Sequence, residues 1–474
     1  MLQQGGSAVD GVIAALLCTS VVNPQSMGIG GGSIVTIRDR TGKVRVYNFR
    51  ETVPRSYKTN LLEDCPKTFS MSSGSQWIGV PGELRGYEVL HKEFGRLPWN
   101  KLFEPTVKLA REGIPLPSYL EQFLGSALVR HRNHLKKGDI LKYPKLAETM
   151  EAVGRLGAEE FYSGKIGRDL IEDIKEIGGT LMLDDLKGYK VRVEDALQVS
   201  LGDTLMHILH HQQGALCLPL FSRFVSPRSL DADQKIQLYH RYVEAAKFAN
   251  GQKRNVCDPQ FNNEKVNSVF INQIRALILN QTHDSTFYSS VTPPSDHFGT
   301  THVSVLDENG LAVSATSTIN QLFGGAIYSP RTGIILNNEL ADFCGRADSV
   351  KPGELTPSSM TPVVLETAPG GLLVIGGSGG SMITTAVALV TSLTLKFLFL
   401  LKDAIAAPIV FVDSRGNVNF EDGFDESVIE GLRALGHKVG NWKYFLNVVN
   451  AVEFERGCIS AFSDSRKMGE AAGY

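Results

Sequence analysis

The feature that most constrains this chain is a change of period at residue 300. From about residue 83 to about 280, apolar side chains recur at helical spacing, as in Leu84 to Glu93 and Gln237 to Asn250, with short polar breaks between them. From Thr300 onward they alternate every second residue: His302 to Leu306, a turn at Asp307-Glu-Asn-Gly310, then Leu311 to Ile319. Two such runs joined by a Gly-containing turn predict a β-hairpin. A mainly helical first part must therefore fold with a strand-rich second part.

Further strand signals lie at Gly333 to Leu336, Leu372 to Ile375, Ile409 to Val412 and Val449 to Phe462. Together they predict a mixed sheet with helices packed outside it. Residues 281 to 299 are polar, rich in Ser, Thr and Pro, and include two adjacent prolines, the composition of an exposed linker. Near the start, Ser7-Ala-Val-Asp10 has the form of a capping box, and Val9, Ile13, Leu16 and Leu17 predict a helix ending near Asn23-Pro24. The glycine run Gly28 to Gly32 then precedes a strand at Ile34 to Ile37. A nucleotide cradle needs the opposite order, strand then helix, so a close approach of backbones is the better reading.

Composition excludes several classes. Lys plus Arg number 48 against 50 Asp plus Glu, which gives no general attraction to nucleic acid or anionic lipid. At 474 residues and 42% hydrophobic content, the chain can bury a large core. The six cysteines contain no C-x-x-C pair, so neither a zinc site nor a redox motif is expected, and buried free thiols are the default. No signal peptide is visible at Met1 to Ser7. The apolar stretch Ile383 to Leu400 carries Thr, Ser392 and Lys396 and is short for a bilayer, so it reads as a core helix.

Gly299-Thr300 sits where the linker meets the hairpin. A glycine leaves room for a strained peptide, so the Thr300 hydroxyl can attack the Gly299 carbonyl and move the acyl group from nitrogen to oxygen before water completes the cut. The freed α-amine, with a reference pKa of roughly 7.7 to 8.0, then serves as base for the hydroxyl of the same residue. Gly-Thr pairs are common turn-to-strand junctions, so the surrounding residues must decide.

Those residues resemble the gamma-glutamyltransferases over nearly the whole chain: GGSAVD, NPQSMGIGGG, NFRETVPR and VPGELRGY in the first part, then HFGTTHVSV, SATSTIN, TGIILNNEL, PSSM, GGSGG and SDSRKMGEAAGY. CTSVVNPQSMG, QWIGVPGELRGY and YSPRTGIILNNEL are closest to the type-5 branch, which acts on glutathione and leukotriene C4. The resemblance implies an N-terminal nucleophile hydrolase fold, an α/β (α+β) αββα sandwich. It would form from one self-cleaved precursor: residues 1-299 as the large subunit and 300-474 as the small one, interleaved in a single catalytic domain. It further implies substrates of the glutathione, glutathione-conjugate and leukotriene C4 type, water or amino acid and dipeptide acceptors, and no metal or organic cofactor.

Carried over by motif, Thr300 is the nucleophile and Gly299 to Thr300 the cleavage site, while Thr318 bonds the nucleophile. Gly379 and Gly380 form the oxyanion hole. Arg50, Ser358 and Ser359 would hold the substrate α-carboxylate, and Glu339, Asp342 and Asn320 its α-ammonium. Each has a plainer reading: Arg50 a surface strand residue, Glu339 and Asp342 a helix start or solvated edge, the serines a turn, Gly376 to Gly380 an idle loop. His302, on the same strand face as Thr300, is read as a packed core histidine rather than a general base.

The resemblance also implies a membrane anchor ahead of residue 1 and an extracellular site at the plasma membrane. By that comparison the chain is truncated at its N-terminus, and Cys18 lacks its usual partner. Asn280-Gln-Thr282 is a glycosylation sequon. Residues 207 to 227, and Leu395 to Leu401, depart from the family pattern. The alternative function is a non-catalytic homologue, or a fragment that fails to self-cleave.

Overall fold

The computed structural model describes residues 1–66, 72–124, 135–209, 231–252, 258–261, 268–288, 299–346, 349–397, 399–441 and 448–474. The linker run 289–298, residues 210–227 of the atypical segment, Cys217 and Cys257 lie outside them.

Fifteen strands are described: β1 (Gly32–Arg38), β2 (Val44–Phe49), β3 (Ile114–Pro115), β4 (Ile140–Leu141), β5 (Arg192–Asp195), β6 (Leu197–Ser200), β7 (Thr204–Ile208), β8 (Thr301–Leu306), β9 (Ala312–Thr318), β10 (Val363–Thr367), β11 (Gly371–Ser378), β12 (Val410–Val412), β13 (Val418–Phe420), β14 (Val448–Glu455) and β15 (Cys458–Phe462). They form not one mixed sheet but two main ones, in the orders β5-β2-β1-β9-β8 and β15-β14-β11-β10-β7-β6. Every strand pair in both sheets is antiparallel.

The sheets face one another. Ala312 of the first packs with Val364, Leu372, Val374 and Val452 of the second, and Ser314 Oγ donates across the gap to the Ile375 carbonyl. Residues of β9 alternate between two environments, as period two requires. Val313 and Ala315 join the core beneath helices Ala8–Val22, Trp99–Glu112 and Pro144–Leu156. Ser314, Thr316 and Thr318 share the opposite face. On the far side, helix Ile383–Phe397 packs against the second sheet, with Ile383, Ala386 and Val387 in the core shared with Ile375 and Val449. The layers are helix, sheet, sheet, helix, as the resemblance implies. Among the described residues no helix is long and apolar enough to cross a membrane.

The opening helix starts where the sequence places it. Ser7 Oγ accepts from the Asp10 amide at 3.2 Å while Asp10 returns a bond to the Ser7 amide, satisfying two of the amides that a helix start leaves unpaired. The hairpin turn closes through Asp307 and Gly310, the latter at φ 81°.

Three expectations need correction. The first part is mainly helical but also supplies β5 to β7, short strands that reach both sheets. Gly333 to Leu336 forms only isolated bridges, Tyr328 to Ile335 and Gly30 to Leu336, because Gly333 sits at φ 75° in a turn closed by its bond to the Ser329 carbonyl. Buried free thiols are wrong for one pair: Cys65 and Cys344 are disulfide-bonded. Cys18 and the exposed Cys458 remain thiols.

Candidate active site

Thr300 lies at the head of β8, 5% exposed, opposite the end of β9. Its hydroxyl is 3.2 Å from Thr318 Oγ1, and Thr318 Oγ1 in turn accepts from the Asn320 amide at 2.8 Å. The Thr300 amide donates to the Ser26 carbonyl at 3.0 Å. Thr300 is held at φ 89°; a β-branched residue there costs roughly 1–3 kcal/mol. The strain falls on the residue assigned to the cut. A Cβ added at Gly299 would stand 2.1 Å from the Asn320 carbonyl oxygen, so no side chain fits before Thr300.

His302 is the packed core histidine expected. Its ring is wedged against Gly376 of the facing sheet and bonded to Thr316 and Ser304. Burial drives its pKa down to about 3, so the ring is neutral.

From Thr300 a hydrogen-bond path runs through Thr318 to Asn320, whose side-chain amide donates to the Asn338 carbonyl at 3.0 Å. The next residue is Glu339, on a short 3₁₀ turn, Glu339–Phe343, that also carries Asp342. Both face Arg50, which is no surface residue at 1% exposed. Its guanidinium lies 2.7 Å from Glu339, 3.1 Å from Asp342 and 3.7 Å from Glu51, and donates to the Pro357 carbonyl at 2.9 Å. Burial works against its charge, but the three carboxylates outweigh burial and hold the proton more firmly than usual. The same burial, only partly opposed by Arg50, raises Glu51 to about 8 and lifts Glu339 well above the ordinary carboxylate range. Glu51 and Glu339, crowded around one cation, are thus pushed toward keeping a proton.

The two sets expected at opposite ends of a substrate are here in direct contact. Both oxygens of Glu51 and the Arg50 Nε make no hydrogen bond, although they are buried. Such groups are costly unless something else completes them. Ser358 and Ser359 follow Pro357 in an irregular segment, with Ser358 Oγ accepting from the Met360 amide.

Gly379 and Gly380 follow β11 at φ 122° and 61°, immediately before helix Ile383–Phe397. Ser378, the residue before them, is tied to Thr300 by Lys467, whose ammonium donates to Ser378 Oγ at 2.8 Å and to the Thr300 carbonyl at 3.4 Å. Burial pulls Lys467 down to about 8, partly opposed by Asp464. Sequence reading missed Lys467 and Glu51. For Glu51 the signal is its place beside Arg50 in NFRETVPR; for Lys467 it is its place in SDSRKMGEAAGY, although nothing in that string points to Thr300, 167 residues away.

Away from this site, His240, Glu244 and His437 bring possible ligand atoms within 4.8 Å of one another. Their bonds are already made: His240 to His437 and the Leu279 carbonyl, His437 to Lys247, Glu244 to Tyr288. The cluster is a closed hydrogen-bond network around a lysine.

A family model described as gamma-glutamyltranspeptidase matches residues 1–474. The chain belongs to that family. Relatives of this gamma-glutamyltranspeptidase include the human "Glutathione hydrolase 5 proenzyme", 42% identical over an alignment of 527 residues that covers 100% of this chain and 90% of the relative. "Scoloptoxin SSD14" of Scolopendra dehaani is 33% identical, covering 100% and 89%. Among solved structures, a cephalosporin acylase from Bacillus halodurans superposes with a TM-score of 0.88 at 21% identity, over 100% of this chain and 92% of that one. That likeness establishes the N-terminal nucleophile hydrolase fold alone. Membership of the family makes the chain an enzyme of gamma-glutamyl transfer and hydrolysis.

Proposed function

We propose that this gamma-glutamyltransferase cuts itself between Gly299 and Thr300 and then uses Thr300 to cleave the gamma-glutamyl amide of glutathione, glutathione S-conjugates and leukotriene C4. The observation that carries the reading is the juxtaposition at the head of β8: a strained Thr300 bonded to Thr318, preceded by a glycine that cannot be replaced. Residues 1-299 would become the large subunit and 300-474 the small one. Relatives with the printed name glutathione hydrolase 5 support the substrate class.

In the cleaved enzyme the Thr300 α-amine takes the hydroxyl proton as Oγ1 attacks the gamma-carbonyl. The amides of Gly379 and Gly380 stabilise the oxyanion, since glycines let main-chain donors approach closely. As the tetrahedral adduct collapses, the α-ammonium returns the proton to the leaving cysteinylglycine amine. Water, or the amine of an amino acid or dipeptide acceptor, attacks the remaining ester and frees Thr300. Recognition is an exchange of ion pairs: the substrate α-carboxylate takes the Arg50 fork, beside Ser358 and Ser359. Its α-ammonium takes Glu339 and Asp342, with Asn320 alongside. Arg50 would give up contacts it already makes, so a ligand lacking either charge leaves a buried ion bare.

We place the protein on the extracellular side of the plasma membrane. The Cys65–Cys344 disulfide supports an oxidising compartment.

The test is a denaturing gel of the purified, reduced chain with N-terminal sequencing of the fragments. Two pieces, the smaller beginning at Thr300, are expected. A folded chain that stays whole and still hydrolyses a gamma-glutamyl anilide would refute the mechanism; whole and inactive, it would be the non-catalytic homologue.

A further inference from the structure

We propose that the Cys65–Cys344 disulfide joins the two products of self-cleavage covalently and positions the acidic pair of the substrate site against Arg50. The inference rests on the self-cleavage proposed above. Cys65 precedes the cut, Cys344 follows it, and 279 residues separate them. Breaking the chain between 299 and 300 therefore turns an internal cross-link into a bridge between two polypeptides.

The bridge is not what keeps the pieces together. β1 and β9, from opposite sides of the cut, pair continuously from Gly32 with Thr318 to Arg38 with Ala312, and β7 pairs with β10 in the other sheet. Its effect is local. Glu339 and Asp342 ride on one 3₁₀ turn that ends at Cys344, and such a turn is weak on its own. It is held by a small cluster in which Leu340, Ala341 and Phe343 pack with Val53, Leu61 and Trp77. The segment from Arg50 to Cys65 and the segment from Glu339 to Cys344 touch at both ends: through the ion pairs at one, through the disulfide at the other.

When a zwitterionic substrate draws Arg50 away from the carboxylates, the ion pairs no longer hold the turn. The disulfide and the small apolar cluster then keep Glu339 and Asp342 in place. A site ordered before binding loses less entropy when it binds, so the benefit falls on substrate affinity.

The first experiment runs the purified protein on denaturing gels with and without dithiothreitol, which closes to its own cyclic disulfide as the protein bond opens to two thiols. A full-length band without reductant and two pieces with it are expected. Two pieces in both lanes overturn the bridge. One band in both lanes refutes self-cleavage instead, and a non-reducing digest then decides the pairing: a missing Cys65–Cys344 peptide overturns the disulfide by itself. Positioning is read from Cys65→Ser, Cys344→Ser and the double variant with gamma-glutamyl-p-nitroanilide, a substrate without a thiol. We expect KM to rise about tenfold with kcat within about twofold, equally in all three, and the pieces to elute together in native gel filtration. Native reduction of the wild type should give the same rise, reversed by cystamine, which accepts the two electrons as it splits into two thiols. An unchanged KM in the reduced wild type overturns the positioning role.

Discussion

Arg50 shows what one residue must satisfy to hold charge in a dry site. Its guanidinium is paired with Glu339 and Asp342, and under the proposed recognition it would release them to a better-shaped carboxylate when substrate arrives. Lysine cannot offer the planar fork. Arg50→Lys should raise KM for gamma-glutamyl substrates by roughly 30- to 100-fold, the equivalent of about 2–3 kcal/mol for a charged hydrogen-bonded pair, with kcat changed far less. Equal Michaelis constants in the two proteins would remove Arg50 from the site. Lys467 would act at the other end, through the field it places on the proposed nucleophile, Thr300. Its ammonium reaches the Thr300 carbonyl, so after the proposed cleavage it would stand close to the new α-amine and disfavour the charged form of that amine. Removing it in Lys467→Met should raise the amine pKa and move the acidic limb of the kcat/KM profile up by on the order of one to two pH units, while Lys467→Arg leaves the limb in place. A limb that does not move in the methionine variant would make Lys467 structural.

At the scale of elements, the same hairpin that carries Thr300 is fastened on its other face by Glu83, the first residue of helix Glu83–Phe94. Its buried carboxylate accepts from Ser33 of β1, Ser317 of β9 and Tyr87 of its own helix. Burial, opposed by those hydroxyls, raises its pKa from 4.5 to about 7. A raised carboxyl means that the folded chain keeps a proton that the unfolded chain releases. Its contribution to stability is therefore fully present below pH 4.5 and is lost as pH rises to about 7. The loss amounts to about 3 kcal/mol. Glu83→Gln should flatten the fall of Tm between about pH 5 and pH 7, and an unaltered slope would mean that Glu83 is ionised in the fold. Local signals made several elements legible: the Ser7 and Asp10 capping box, the hairpin with its Asp307 to Gly310 turn, and the isolation of His302 as packing. What stayed hidden was long-range. Glu83 lies in VPGELRGY, but nothing in that string shows its distant hydroxyl partners, Ser33 and Ser317, and the Cys65 and Cys344 pairing cannot be read from spacing. The strands β5 to β7 escaped because they are short and half-exposed amid helical sequence. The segment Gly333 to Leu336 has strand composition, yet its neighbours Asn337 and Asn338 spend their side chains on the main chain of Gly30, Gly79 and Ser72, which holds the region as irregular structure.

For the whole molecule, the position of the proposed cut relative to the sheets bears on how the chain must fold. The proposed break after residue 299 would divide neither sheet along a natural seam: β8 and β9 add to β1, β2 and β5, while β6 and β7 add to β10, β11, β14 and β15. Each half alone would leave strand edges unpaired, β9 losing β1 and β10 losing β7. The second half would also bare the face of Val313 and Ala315 that helix Ala8–Val22 covers. Open apolar edges of this kind favour association with other chains over a unique fold. Folding should therefore precede cutting, because only the joined chain can close both sheets and press Thr300 into its strained conformation. Expressed alone, residues 300–474 should show no cooperative melting transition by calorimetry and should aggregate, whereas Thr300→Ala in the full chain should stay in one piece and melt within a few degrees of the wild type. A sharp transition from the isolated second half would overturn this order, since the interleaved strands would then be a consequence of assembly and not a condition for it.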